Sequence, residues 1–137
     1  MRVLLSIFLT LSLASFTAVW AQTVSAPPIK YLSSCEIDLN GDGESDIAVL
    51  ADTNRGRELI ALVNSAGTYK AYVVSRGKPH SILTCRYGRS VTETKAAGGK
   101  ARTFKTPGTY LVLTQPESSS VAFFWANDKF QEVWISD

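Results

Sequence analysis

The sequence predicts an all-β fold: a small antiparallel β-sandwich, or a curled sheet or meander, carrying one disulfide. Two observations point to strands. From Ser45 onward, short apolar or alternating runs are separated by clusters of Gly, Asn, Asp, Ser and Pro, the composition of strands joined by turns. No stretch sustains the apolar period of a helix. The third observation is that Cys35 and Cys85 are the only cysteines. An even count behind an export-type N-terminus reads as a disulfide. The rival reading, a reactive thiol, lacks an activating His or helix start near either residue.

In chain order, Met1–Ala21 reads as a secretory signal peptide, with Arg2 as the positive region, Val3–Val19 as the apolar region and Val19-Trp20-Ala21 as the cleavage site. A membrane anchor is the competing reading. The Ser and Thr residues within the run and the small residue at the cut favour cleavage, with no Cys nearby to take a lipid. Residues 22–33, with Pro27-Pro28, read as an extended leader, and 34–137 as a single β domain. Ser45–Ala51, Glu58–Asn64 and Thr68–Ser75 are expected strands, joined by turns at Asp52–Arg57 and Ser65–Gly67 into a meander. Ser81–Arg86 and Val91–Thr94 carry weaker strand patterns. Residues 95–108 read as a loop or irregular segment. Tyr110–Thr114, Ser120–Ala126 and Phe130–Ser136 recover clear strand character, the last two joined by a two-residue turn at Asn127-Asp128.

The chemistry of the chain is concentrated in Asp38-Leu-Asn40-Gly-Asp42-Gly-Glu44-Ser-Asp46, directly before the apolar run Ile47–Leu50. Oxygen-bearing side chains recur at every second position, as in a loop wrapping a hard cation that takes about six to eight oxygen ligands. Asp38, Asn40 and Asp42 would offer side-chain oxygens, Glu44 its carbonyl and Asp46 a closing carboxylate, while Gly41 and Gly43 permit the tight path. An EF-hand would need a Glu at position twelve and a following helix, but that position is Val49, inside an expected strand. The alternative is an Asp/Gly-rich turn capped by its own side chains.

Loop-into-strand with Asp at the ninth position resembles the calcium loops of FG-GAP and VCBS-type repeats, the units of integrin-like β-propellers. The resemblance covers about fifteen residues and implies bound Ca²⁺ and a recognition or adhesion role. The loop occurs once, whereas a propeller repeats its blade, so the propeller itself is not implied.

Other residues bound the function. With 14 Lys and Arg against 12 Asp and Glu the net charge is +2, and loss of Arg2 with the leader would make it +1. This balance argues against nucleic acid as a partner. His80 is the single histidine, beside Pro79 in a turn, with no acid or nucleophile close in sequence, so neither acid–base catalysis nor a multi-His zinc site is expected. Lys95, Lys100, Arg102 and Lys105 form a locally basic stretch that could meet phosphate or an acidic surface, or simply be solvated. In Phe123-Phe124-Trp125, alternation puts Phe123 and Trp125 on one face with Val121 and Phe124 on the other. Lys100, Arg102, Lys105, Phe124, Trp125 and Trp134 are therefore the candidate partner surface, for a protein or a glycan.

The expected protein is a non-enzymatic calcium-binding β domain, exported to the periplasm or medium without a stable membrane anchor, in which Ca²⁺ is structural. A periplasmic inhibitor or immunity-type protein that blocks a secreted enzyme is the alternative.

Overall fold

The computed structural model describes residues 28–94, 101–116 and 118–135. The signal-peptide reading, the leader up to residue 27, and Lys95 and Lys100 of the basic stretch lie outside the described residues. The fold is all-β, as the turn and strand pattern requires. Its elements are β1 (Lys30–Ile37), β2 (Asp46–Thr53), β3 (Gly56–Ser65), β4 (Thr68–Gly77), β5 (Ile82–Thr92), β6 (Thr103–Thr114), β7 (Ser120–Ala126) and β8 (Lys129–Ile135). They form two antiparallel sheets, β1-β2-β3-β4 and β5-β6-β7-β8, each with its strands in sequence order.

The hairpin turns follow from backbone chemistry. Asn127 and Asp128 have φ of 54° and 59°, and Ala66 and Gly67 have φ of 50° and 82°. Two consecutive residues at positive φ match the twist of the flanking strands. Asn, Asp and Gly adopt that region readily, whereas Ala66 is strained there.

The main core lies between the sheets. From the first sheet, Ile37, Ala48, Leu50, Leu59, Ala61 and Val63 face inward, with Leu39 from the loop; from the second come Leu111, Leu113, Val121 and Phe123. The disulfide Cys35–Cys85 joins β1 to β5, with Cα atoms 6.4 Å apart across a sequence separation of 50. Closing such a loop restricts the unfolded chain by about 4 kcal/mol in the chain-entropy account. It also holds the two sheets together three residues before Asp38.

A second cluster occupies the outer face of the second sheet. Val112, Ala122, Phe124 and Val133 are buried there beneath Val91, Phe104 and Tyr110. The cover is the far end of the β5–β6 hairpin. That hairpin breaks register between Gly88 and Ser90 and curls until Thr94 N donates to Trp134 O at 2.9 Å.

The expected elements are corrected in three places. β1 begins at Lys30, inside the segment read as leader. Its alternation is hidden by a register shift between Tyr31 and Ser33, and its outer side is wet, so few of its residues are apolar. β5 is one strand from Ile82 to Thr92 rather than two short ones. β6 starts at Thr103, within the stretch read as a loop, because Val91 and its cross-strand partner Phe104 pack onto the outer sheet face while their neighbours Ser90, Thr92, Thr103 and Lys105 stay polar.

Candidate functional site

The Asp38–Asp46 loop closes one end of the sandwich, between β1 and β2. Leu39, 1 % exposed, inserts into the core, so the loop is anchored by an apolar side chain next to its first acid. Asp46 is fully buried at the start of β2. Its Oδ2 accepts from Leu39 N at 2.7 Å and its Oδ1 from Asn64 N at 2.7 Å. One carboxylate thus ties the loop's entrance and exit to the end of β3.

The exposed half of the loop is held by its own oxygens. Asp38 accepts from Gly41 N at 2.7 Å and Gly43 N at 2.9 Å. Asn40 Oδ1 accepts from Asp42 N at 3.0 Å while its Nδ2 donates to Asp42 Oδ2 at 2.8 Å. Asp42 Oδ1 accepts from Glu44 N at 2.8 Å. These are the local side-chain-to-backbone bonds that let Asp and Asn replace a ladder in a turn. Gly41 sits at φ 81°, and a Cβ there would lie 2.9 Å from Pro107 Cβ, so the loop backbone approaches β6 closely. Thr109 Oγ1 donates to the Asp38 carbonyl from the same strand.

Among the five expected ligands, Asp38, Asn40 and Asp42 share one arc, Asp42 exposed and Asp38 and Asn40 half-buried, and Asp46 lies buried behind it. Glu44 is met through its side chain, where Asn64 Nδ2 donates to Oε2 at 3.3 Å. Among the described residues no three His, Cys, Asp or Glu side chains stand together as a metal-holding group. The loop carboxylates are turned onto N–H groups instead.

Beside the loop lies a groove of about 500 Å³. Asn40 and Asp42 form one wall, Lys70 and Tyr72 of β4 a second, and Trp125 and Asp128 the third. Tyr72, Trp125 and Phe130 pack edge to face, with the Tyr72–Trp125 centroids 5.2 Å apart, and Lys70 Nζ stands 5.1 Å from the Tyr72 ring. Asn64, Thr109, Lys70 and Asp128 were not singled out from the sequence as site residues. Asn64 reads there as a strand end, and nothing local tells that its backbone N–H meets an acid eighteen residues earlier.

The candidate partner residues do not form one surface. Phe124 is 3 % exposed, in the outer-face cluster, so it is a core residue. Trp125 is half-buried in the aromatic group beside the groove. Trp134 is 47 % exposed on the edge strand β8. Lys105 is exposed, and Arg102 is engaged with Glu93 through bonds of 2.8 and 3.1 Å. That hydrogen bonding holds the Glu93 carboxyl below the ordinary carboxylate range and raises Arg102. His80, at φ 67°, is an exposed turn residue.

Comparison with protein-family models, with curated proteins and with solved structures finds no match. The likeness to FG-GAP and VCBS-type loops therefore rests on residues 38–46 and the strand behind them. Among the described residues no helix is long and apolar enough to cross a membrane. The disulfide is compatible with a periplasmic or extracellular protein.

Proposed function

We propose that the protein is an exported calcium-binding β domain, in which Ca²⁺ stabilises the Asp38–Asp46 loop and the loop end of the sandwich serves recognition. The observation that carries this reading is the solvent-facing arc of half-buried Asp38 and Asn40 and exposed Asp42, oxygen ligands held at alternate positions by a loop stapled through Asp46. A carboxylate offers about four lone-pair positions, and each oxygen of Asp38 and Asp42 accepts one hydrogen bond. Capacity for a cation is left over. The donors are oxygen alone, which suits a hard cation over a soft one. The adjoining groove, with aromatic, acidic and basic side chains around one mouth, is the concave surface a recognition module would use. Similarity to FG-GAP and VCBS loops supports the same reading, and export rests on the N-terminal pattern together with the disulfide.

The test is a pair of thermal melts of the oxidised protein, with Ca²⁺ and with chelator, repeated on Asp42→Ala. Extracellular calcium modules bind at about 10⁻⁴–10⁻³ M. At about 10 mM Ca²⁺ that affinity stabilises the fold by roughly 1.4–2.7 kcal/mol, or about 6–11 °C for a domain of this size. Asp42→Ala is expected to abolish the calcium-dependent part. Superimposable wild-type melts would reduce the loop to a self-capped turn.

A further inference from the structure

The two sheets treat their outer faces differently. The second sheet covers its own with the curled β5–β6 hairpin. On the first sheet, two cross-strand rows are apolar: Val49–Ile60–Val73 and Ile47–Leu62–Ala71. These residues alternate with the inward-facing core, so they point away from it. On the two central strands Ile47, Val49, Ile60 and Leu62 are half-buried by their neighbours on the sheet, and on β4 Ala71 and Val73 are exposed, Val73 at 52 %. Tyr31, 63 % exposed, and Tyr69, 50 % exposed, extend the patch at two corners. An antiparallel sheet with one wet face is ordinarily polar on that face. Single exposed apolar residues need no explanation, but a contiguous patch across three strands does.

We infer that a second copy of this chain covers this face, giving a two-fold dimer packed sheet on sheet. Area and charge select a copy over another occupant. Four strands spaced about 4.8 Å apart, over about six residues at roughly 3.4 Å each, make a plane of about 400 Å² before side-chain corrugation is counted. The smaller specific interfaces bury about 600 Å² per partner. The face must therefore be used whole, which a sheet of equal size does and a single peptide strand does not.

The charges on the face select the same occupant. Glu36 stands on this face at the β1 edge, opposite Ile47 and next to the Asp38–Asp46 loop. Arg76 stands at the β4 edge, opposite Glu58 and at the far end of the strands. Opposite charges at opposite corners make the face complementary to itself. A two-fold axis in the interface plane, running from the Tyr31 corner to the Tyr69 corner, sets each Glu36 against the other copy's Arg76. Tyr31 and Tyr69 then meet their own counterparts, and the aliphatic rows cross in the middle. Strands related in this way cross near 90°, one of the two favoured ways for sheets to pack, and a two-fold pairing is the commonest closed assembly. Arg76 Nε lies 3.5 Å from the buried Glu58 Oε1, and the Arg76 side chain is 66 % exposed. Guanidinium has five N–H donors, so others remain for the second carboxylate.

The experiment is sedimentation equilibrium of the purified chain between about 1 µM and about 500 µM, a range that spans weak to moderate association. The wild type is expected to reach twice the monomer mass. Val73→Glu, which buries a charge in the apolar middle, and Glu36→Arg, which sets like charges together, should each weaken the dimer at least about tenfold. Tyr87→Glu, at an 80 % exposed site on β5, should leave it unchanged. Near-ultraviolet circular dichroism checks that each variant is folded. If Val73→Glu is not, Glu36→Arg at its exposed edge site decides alone. A wild type that stays monomeric throughout overturns the inference and leaves the face to a different partner. A dimer indifferent to both substitutions overturns it as well, because the copies then meet elsewhere.

Discussion

Asp46→Ala should be the most damaging single substitution at the loop end, and its cost follows from two hydrogen bonds. The carboxylate is fully buried and accepts from Leu39 N and Asn64 N, both at 2.7 Å. Removing it orphans two backbone donors at a site from which water is excluded. Each orphan costs about 1–3 kcal/mol, so the loss should be about 4 kcal/mol, or roughly 15 °C in melting temperature for a domain of this size. Asp46→Asn keeps the shape and one acceptor but turns an NH₂ toward the second donor, so about half the loss is expected. The assay is urea unfolding followed by tryptophan fluorescence, run in chelator. That condition separates the roles of Asp46, because a carboxylate that matters only as a metal ligand costs nothing once the metal is removed. A loss under about 1 kcal/mol in chelator that grows in calcium would refute the hydrogen-bond account.

Three further outcomes are expected. Gly41→Ala should cost clearly more than Gly43→Ala: both sit at positive φ, 81° and 89°, but only at Gly41 would a Cβ press to 2.9 Å on Pro107 Cβ. The Gly43 change should cost about 1 kcal/mol from backbone strain alone, and paired urea midpoints measure the difference. Ala66→Gly should stabilise by up to about 1 kcal/mol by relieving a Cβ at positive φ, and Ala66→Asn should give part of that gain; thermal melts read both. Arg57 donates to Asp52 at 2.8 and 3.1 Å, and this hydrogen bonding holds the folded Asp52 carboxyl below its ordinary value. A depressed folded value means that its stabilisation is present above the unfolded pKa and disappears as pH falls through the folded one. The stability gap between wild type and Asp52→Asn should therefore close below about pH 4, as followed by urea midpoints against pH.

The strands most legible in the sequence are those that carry a run of apolar inward residues. Ala48 and Leu50, Leu59 to Val63, and Val121 and Phe123 bury one face each, so period and placement agree. β1 was hidden for a reason that can be named: a register shift after Tyr31 and a wet outer side leave Leu32, Cys35 and Ile37 without even spacing. The start of β6 was hidden because its partner surface is not the main core. Phe104 reads as a lone aromatic in a basic, Gly-rich stretch until β5 and β6 fold over Val112 and Phe124. The same folding removes Phe124 from the surface. Alternation correctly placed it opposite Phe123, but alternation alone does not tell that the opposite face has its own cover.

At the loop the sequence fell short in another way. Asp at alternate positions beside Gly is what a cation requires and also what a self-capped turn requires, because both need oxygens aimed at the inside of a tight backbone path. The pattern therefore locates the loop without dividing its oxygens between N–H groups and an ion. Asp46 shows how finely that division runs. As the ninth residue of the motif it would close a metal site, yet its two oxygens also hold together residues 39, 46 and 64 of two strands and a loop. An ion that adds to such a loop gains from a backbone path already set and gives up less ordering entropy on binding. Calcium affinity should accordingly fall in Asp46→Asn even at temperatures where the rest of the sandwich stays folded, because the arc of Asp38, Asn40 and Asp42 loses its frame.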